Sequence, residues 1–208
     1  MAKPRTTPIT KIDTSLFTPR MIMQLRIGLD RYLYIKNNYA SFCSRPYSTN
    51  DEFVDEYYEY YGMRAARAFL NEDNKKAYFE LLKKQRASAI AGTAPSVNDI
   101  IDKISAFTNN DQASYASKLC HTANENIPVY DSRVREYLHC VYSTSKYNNA
   151  DIDTWYSHLS SPATDPIHID QQQLLDWFKS HPILMTYAPS LTDVKILDAI
   201  IFTWHKYR

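Results

Sequence analysis

Apolar residues recur at the spacing of an α-helix along most of this sequence. The first such stretch begins at Pro19, a residue favoured at the first helical position. Its apolar face is formed by Met21, Leu25, Leu29, Tyr32 and Leu33. Similar stretches follow to the C-terminus, whereas the alternation that indicates strands is scarce and no internal repeat is visible. The sequence therefore predicts an all-α protein, an irregular globule of about eight helices.

Short capping patterns predict where individual helices begin. Ser or Thr followed three positions later by an acidic residue satisfies free backbone N–H groups at a helix start. This pattern occurs at Thr49, Ser96 and Ser190. The pair Asn37 and Asn38 predicts the end of the first helix, since asparagine favours turns over helix interiors.

The domain organisation follows from composition along the chain. Residues 1–18 are rich in proline and threonine and predict an N-terminal arm. Residues 19–208 predict a single compact helical domain. Two lobes are a second option within it, one formed by residues 19–94 with 143–208 and the other by residues 95–142. With 44% hydrophobic residues, the chain has enough apolar surface for one sizeable core.

Glycine content and net charge limit the ligands. Gly28, Gly62 and Gly92 are isolated, whereas loops that cradle phosphates need clustered glycines, so no nucleotide cofactor is expected. The 24 Lys and Arg residues against 23 Asp and Glu residues leave a net charge of +1. DNA-binding proteins often carry a larger basic excess, although a local basic face is compatible with this balance.

The sequence also predicts the compartment. No apolar run approaches the length of a membrane span, and the N-terminus lacks the apolar segment of a signal peptide, so no membrane partner is expected. Cys43, Cys120 and Cys140 are scattered, which is typical of reduced thiols. These features predict a cytoplasmic protein, and none of them indicates a particular oligomeric state.

Histidine and cysteine spacing predicts no metal site. None of the six histidines forms an HxxxH or HExxH pair, so no metal ligand set is expected. Cys120 and His121 are adjacent, as are His139 and Cys140, and adjacent residues point to different sides of a helix. Buried thiols are therefore favoured over a Cys–His nucleophile pair.

The most informative segment spans residues 96–142. A predicted helix, a turn at residues 108–111 and a second helix are followed by an extended stretch that contains Pro128. Asp131 then opens the next helix. This order resembles the helix–hairpin–helix DNA glycosylase superfamily, in which a Pro-x-Asp segment delivers an aspartate to the start of a helix.

The resemblance implies an enzyme that binds double-stranded DNA, flips out a damaged or modified base and excises it by cleaving the N-glycosidic bond. Asp131 would be the catalytic carboxylate. The lysine of bifunctional members would fall at Gln112, so the resemblance implies a monofunctional base-excision hydrolase without a cofactor. The residues expected to contact DNA are Asn109, Asn110, Lys118, Arg133 and Arg135.

The alternative interpretation of the same residues is a non-catalytic protein. Under this interpretation the chain is an all-α binding or interaction protein that retains the scaffold. Asp131 has the residue type of any helix N-cap, and the turn at residues 108–111 has no glycine to allow close approach to a phosphate. The small net charge favours the same alternative.

Two further clusters each allow two interpretations. Lys75, Lys76 and the basic run at residues 83–86 could form a DNA-facing stripe, although charged runs on helices are usually solvated. The tyrosines within residues 57–61 could stack on bases, but packing in the core is favoured.

Overall fold

The computed structural model describes residues 12–63, 71–93, 96–108, 112–142 and 166–208. Within these ranges the chain forms eight α-helices: α1 (Pro19–Cys43), α2 (Glu52–Tyr60), α3 (Glu72–Ile90), α4 (Val97–Thr108), α5 (Ala113–Ala123), α6 (Ser132–Tyr142), α7 (Pro166–Ser180) and α8 (Asp193–Tyr207). Short 3-10 turns lie at Thr14–Leu16, Leu184–Thr186 and Ala188–Ser190. No strand occurs in the described ranges, so the prediction of an all-α fold is confirmed. In this part of the chain, no helix combines the length and apolar character needed to cross a membrane.

Side-chain caps define the starts of α4 and α8. The predicted cap of α4 is confirmed, because Ser96 Oγ accepts from Asp99 N at 3.2 Å and Asp99 Oδ2 accepts from Ser96 N at 3.1 Å. The predicted cap of α8 at Ser190 is wrong. Thr192 takes this position, and its Oγ1 accepts a hydrogen bond from Lys195 N at 3.2 Å.

The predicted cap of α2 at Thr49 is wrong as well. Asp51 caps this helix, and its Oδ1 accepts a hydrogen bond from Phe53 N at 2.9 Å. Arg45 Nη2 lies 2.7 Å from the same oxygen. This ion pair within the loop before α2 holds the Asp51 carboxylate in place and favours Asp51 over Thr49 as the cap.

Helix α1 continues through the predicted break at Asn37 and Asn38 and ends at Cys43. Asn38 Nδ2 donates to Tyr34 O at 2.8 Å, so its amide is used within the helix. Phe42, in the added turn, is fully buried. Burial of this aromatic ring outweighs the weak preference of asparagine for turns.

Stacked aromatic rings join α1, α2 and α3. Phe42 and Phe53 stack with their centroids 4.2 Å apart, and Tyr57 meets Phe79 edge-on at 5.4 Å. All four side chains are fully buried. Tyr57 Oη lies 3.1 Å from Tyr78 Oη, so the hydroxyl has a polar partner inside the core. The rings contribute both apolar burial and preferred ring–ring geometry.

Helices α1 and α8 organise the arrangement around them. α1 packs on α2, α3 and α8, while α8 also packs on α6 and α7. α5 packs on α3 and α4. The inner surfaces of α1, α2, α5 and α8, together with the residue that precedes α6, face a common cavity.

The end of the predicted N-terminal arm is packed against this core. The Phe17 ring lies 4.7 Å from Trp177 of α7 and 5.5 Å from Trp204 of α8, centroid to centroid. Ile12 is buried as well. Residues 1–11 of the arm lie outside the described residues.

Replacing Phe53 with alanine should lower the free energy of unfolding by about 3–5 kcal/mol, because the ring leaves a cavity between α1 and α2. The matched control is Ile90→Ala, since the Ile90 side chain is 70% exposed at the end of α3 and should change stability by less than about 0.5 kcal/mol. Urea unfolding followed by circular dichroism measures both. Equal stability of the two variants would contradict this account of the core.

Candidate functional site

A cavity of about 330 Å³ lies between α1, α2, α5 and α8 and reaches the start of α6. Its volume is within the usual range of pockets for small ligands. The charged and aromatic side chains in its wall include Arg31, Tyr60, Tyr61, Lys118, Asp131 and Asp198. Ile27, Phe202, Lys206 and Tyr207 also line the cavity.

Asp131 lies in the wall of this cavity and caps α6 at the same time. Its Oδ1 accepts hydrogen bonds from Arg133 N at 2.9 Å and Val134 N at 3.2 Å. Among the described residues, none donates to Oδ2. The side chain is half-buried. One oxygen therefore performs the capping that the residue type suggests, while the other is available to a ligand.

The extended segment before Asp131 is attached to α5. Ser117 Oγ accepts a hydrogen bond from Tyr130 N at 2.9 Å, and His121 Nδ1 donates to Ile127 O at 2.6 Å. Tyr130 is almost fully buried. These bonds satisfy backbone groups that have no strand or helix partner, and they fix the direction from which Asp131 enters the cavity.

Lys118 is buried in the cavity wall, with 8% of its surface exposed. Its Nζ donates to Tyr61 O at 3.1 Å and lies 5.1 Å from the centroid of the Tyr115 ring. Burial lowers the pKa of the Lys118 ammonium, and the charges of Asp131 and Asp198 oppose this shift only in part. Within the described residues, Lys118 forms no ion pair. It was predicted as a DNA contact, and the structure places it inside the cavity wall.

Lys195 and Asp198 were not among the residues predicted from the sequence. Lys195 is completely buried, and its Nζ lies 2.5 Å from Asp198 Oδ2. The same ammonium lies 4.3 Å from the Tyr32 ring centroid and 4.8 Å from that of Tyr60. The sequence does contain one indication of this pair, because Lys195 stands among the apolar residues of a predicted helix and Asp198 follows three positions later. Only the packing of the helices shows that the pair is buried.

Burial controls the chemistry of Cys120 and His121. It raises the pKa of the Cys120 thiol to about 12, so this thiol stays protonated at neutral pH. Burial, assisted by the positive charge of Lys195, lowers the pKa of His121 to about 4. Both groups are neutral near pH 7, which does not suit a Cys–His nucleophile pair.

Two cationic side chains at the cavity rim differ in whether a carboxylate pairs with them. Arg31 pairs with Glu56 at 3.6 Å and with Glu59 at 3.1 Å. Lys206 lies 5.1 Å from the ring centroids of both Phe202 and Tyr207, and no described residue forms an ion pair with it. Lys206 is exposed, so its charge is accessible to an anion at the rim.

The remaining predicted DNA contacts are not in the described cavity wall. Arg133 lies 3.9 Å from Glu136 on the same helix, and Arg135 is half-buried on α6. Neither lines the cavity. Asn109 and Asn110 lie outside the described residues.

The predicted lysine stripe on α3 lies apart from this cavity. Lys75 pairs with Glu72, and Lys83 pairs with Glu80 at 3.0 Å. α3 supplies none of the cavity-lining residues that the structure describes. The tyrosine cluster divides between two environments, since Tyr57 and Tyr58 are buried in the core while Tyr60 and Tyr61 line the cavity.

The described ranges bring no three His, Cys, Asp or Glu side chains together in a geometry that could hold a metal ion. The cavity instead combines the three carboxylates of Glu59, Asp131 and Asp198 with aromatic rings and the cationic side chains of Arg31, Lys118 and Lys206. This combination can accept hydrogen bonds from a polar ligand, stack on a planar one and stabilise positive charge.

We expect stability to fall as the pH is lowered through the range in which an unfolded histidine is protonated. His121 has a lowered pKa of about 4 in the folded protein, whereas the unfolded chain takes up its proton near pH 6.5. The stabilisation that comes from keeping His121 neutral is therefore fully present above about pH 7.5. This contribution to the free energy of unfolding should fall by about 2 kcal/mol between pH 8 and pH 5.

Urea unfolding at several pH values measures this loss, and His121→Asn should reduce the slope between pH 7 and pH 5. His181→Gln is the matched control, because His181 is a half-buried side chain between α7 and the next turn. An unchanged slope in His121→Asn would show that other groups cause the dependence.

Breaking the buried ion pair should be costly. Asp198→Asn leaves the Lys195 ammonium buried without a counter-ion, so we expect a loss of about 3–5 kcal/mol in the free energy of unfolding. Asp193→Asn is the control, because the pair of Lys179 and Asp193 is exposed and should contribute less than about 1 kcal/mol. The double variant Lys195→Met, Asp198→Asn should lose less than the sum of the two single variants, and simple additivity would speak against a coupled pair.

Comparison with known proteins identified no relative of this chain. No protein-family model matches the chain, and neither a curated protein nor a solved structure matches it. The chemistry of the cavity is therefore the basis on which a function is assigned.

Proposed function

We propose that this protein is a monofunctional DNA glycosylase of the helix–hairpin–helix type, which flips a damaged or modified base into the cavity and hydrolyses its N-glycosidic bond. The observation that carries the proposal is the position of Asp131. Its carboxylate lies in the wall of an aromatic-lined cavity, with one oxygen free of hydrogen bonds from the described residues.

Asp131 would act on the sugar. As the bond between C1′ and the base nitrogen breaks, the electron pair leaves with the base and positive charge develops on the deoxyribose. A carboxylate that is already oriented by Arg133 N and Val134 N stabilises that charge without reorganising. Water then adds to C1′ and its proton passes to the departing base or to solvent.

The aromatic side chains would hold the flipped base. Tyr60 and Tyr61 line the cavity on one side, and Phe202 and Tyr207 line it on the α8 side. Stacking of a base on an aromatic ring contributes about 1–3 kcal/mol, which helps to offset the unstacking of the base from the duplex. The volume of about 330 Å³ suits one base and part of its sugar.

Cations at the rim would contact the DNA backbone. Lys206 has no ion pair with the described residues and is exposed, so it is suited to a phosphate next to the flipped nucleotide. Arg31 is already paired with Glu56 and Glu59 and is less suited to that contact. The net charge of +1 means that such a local contact, rather than a general basic excess, would supply the attraction.

The second candidate is a non-catalytic binding protein that retains the scaffold. The specific observation in its favour is that Asp131 Oδ1 accepts two backbone hydrogen bonds at the start of α6, which is a sufficient structural reason for an aspartate at this position. The near-neutral charge favours the same candidate.

Asp131→Asn separates the two candidates, because asparagine also caps helices but cannot carry the negative charge. Duplexes that carry alkylated, oxidised, deaminated or methylated bases are incubated with the protein, and released bases are measured by mass spectrometry. We expect release by the wild type and a loss of at least about 100-fold in Asp131→Asn with an unchanged melting temperature.

Asp51→Asn is the matched control, because Asp51 caps α2 and does not line the cavity. It should release base at the rate of the wild type. Equal release by Asp131→Asn and the wild type contradicts the catalytic assignment, and absence of release from every duplex favours the binding protein.

A further inference from the structure

We propose that the same cavity also accepts a free 2′-deoxynucleoside 5′-monophosphate and hydrolyses its N-glycosidic bond, which releases the base and 2-deoxyribose 5-phosphate. The inference rests on the proposed function for the role of Asp131 at the sugar. It goes beyond that function because this substrate is a single nucleotide that is not part of a DNA strand.

The cations in the cavity wall are suited to one phosphate group. Arg31 is paired with Glu59 at 3.1 Å, and Lys118 is buried and donates to Tyr61 O at 3.1 Å. Among the described lining residues, Lys206 is the cation that is both exposed and without an ion pair. A nucleotide within DNA carries phosphate on both sides of its sugar, whereas a free 5′-monophosphate carries one. The single available cation matches the free nucleotide.

Three carboxylates in the cavity wall act against a second phosphate. Glu59, Asp131 and Asp198 all line the cavity. Like charges repel more strongly there than in water, because the effective dielectric constant near protein is lower. The second phosphate of a DNA nucleotide must therefore stay outside with the backbone. A free nucleotide has a neutral 3′-hydroxyl in its place, which can donate a hydrogen bond to a carboxylate.

A second carboxylate lies near Asp131 and suits that hydroxyl. Burial raises the pKa of Tyr60 and lowers the pKa of Lys118, and the charges of Asp131 and Asp198 act on both groups. The two aspartates are therefore neighbours of the same side chains. Lys195 Nζ lies 2.5 Å from Asp198 Oδ2, and no described residue donates to Asp198 Oδ1. With Asp131 at C1′, this oxygen can accept from a hydroxyl of the same sugar.

Helix α8 brings the contacts for the base and the phosphate together. Phe202 and Lys206 lie about one helical turn apart, and Tyr207 follows directly. Lys206 Nζ lies 5.1 Å from the ring centroids of both aromatic residues, and all three side chains line the cavity. A base that stacks on these rings leaves its 5′-phosphate at the rim, near the ammonium. One end of α8 therefore serves two parts of a mononucleotide.

The proposed reaction is a hydrolysis that needs no oxidant or reductant. The bond between C1′ and the base nitrogen breaks, and its electron pair leaves with the base. The oxygen of one water molecule forms a new bond to C1′, and one proton of that water is transferred to the base nitrogen. Asp131 stabilises the positive charge that develops on the sugar, as it does in the proposed function.

The test uses the full chain and compares 2′-deoxynucleosides, their 5′-monophosphates and their 3′,5′-bisphosphates. The compounds carry the normal bases and the modified bases of the duplex panel, and released base is measured by liquid chromatography. We expect release from 5′-monophosphates, with a kcat/KM at least about tenfold above that of the matching nucleoside and the matching bisphosphate. Absence of release from every 5′-monophosphate overturns the inference, as does an equal kcat/KM for either comparison compound.

Variants connect this activity to the cavity. In Lys206→Met, the ratio of kcat/KM between a 5′-monophosphate and its nucleoside should fall by about tenfold, because the charged contact to the phosphate is lost. Lys103→Met is the matched control, since Lys103 is exposed on α4 and does not line the cavity, and it should keep the wild-type ratio. Asp131→Asn should abolish release from 5′-monophosphates. An unchanged ratio in Lys206→Met, or full release by Asp131→Asn, contradicts the inference.

These outcomes are distinct from failure of the proposed function, because duplexes and free nucleotides are assayed separately. Release from 5′-monophosphates but from no duplex would leave the inference standing while the proposal of a DNA glycosylase fails. Release from a duplex but from no 5′-monophosphate would leave the DNA glycosylase standing and remove the inference.

Discussion

The geometry of the cavity depends on two hydrogen bonds that attach an extended segment to helix α5. Ser117 and His121 lie one helical turn apart and bind Tyr130 N and Ile127 O, at 2.9 Å and 2.6 Å. A segment without a strand partner must satisfy its backbone groups elsewhere, and α5 provides both bonds on one face. The path of the segment then determines where Asp131 begins α6 and which way its carboxylate points.

Charge burial distinguishes structural groups from groups that are available to a ligand. Lys195 and Asp198 neutralise each other, so their desolvation is offset inside the protein. Lys118 and Asp131 border the same space, but no described residue neutralises Lys118 by an ion pair and none donates to Asp131 Oδ2. The proposal for base excision rests on the oxygen of Asp131 that no described residue occupies.

A network of hydroxyl groups connects the cavity wall with the aromatic core. Tyr61 Oη lies 3.0 Å from Thr122 Oγ1, which also lies 3.4 Å from Tyr57 Oη, and Tyr57 contacts Tyr78 at 3.1 Å. Tyr78 Oη in turn donates to Tyr115 O at 3.0 Å. Satisfied networks of this kind hold buried side chains in one arrangement, so the wall formed by α2 and α5 is ordered before a ligand arrives.

Local patterns in the sequence determined the all-α class, most helix positions, the Ser96 cap and the placement of Asp131 at a helix start, because periodicity and capping act between residues close in the chain. The tertiary structure alone decided that Asp131 borders a cavity, that Lys118 is buried beside it and that Lys195 is paired. Whether a charged side chain is exposed, neutralised or left without a counter-ion depends on which helices pack over it, and those neighbours lie far away in the sequence.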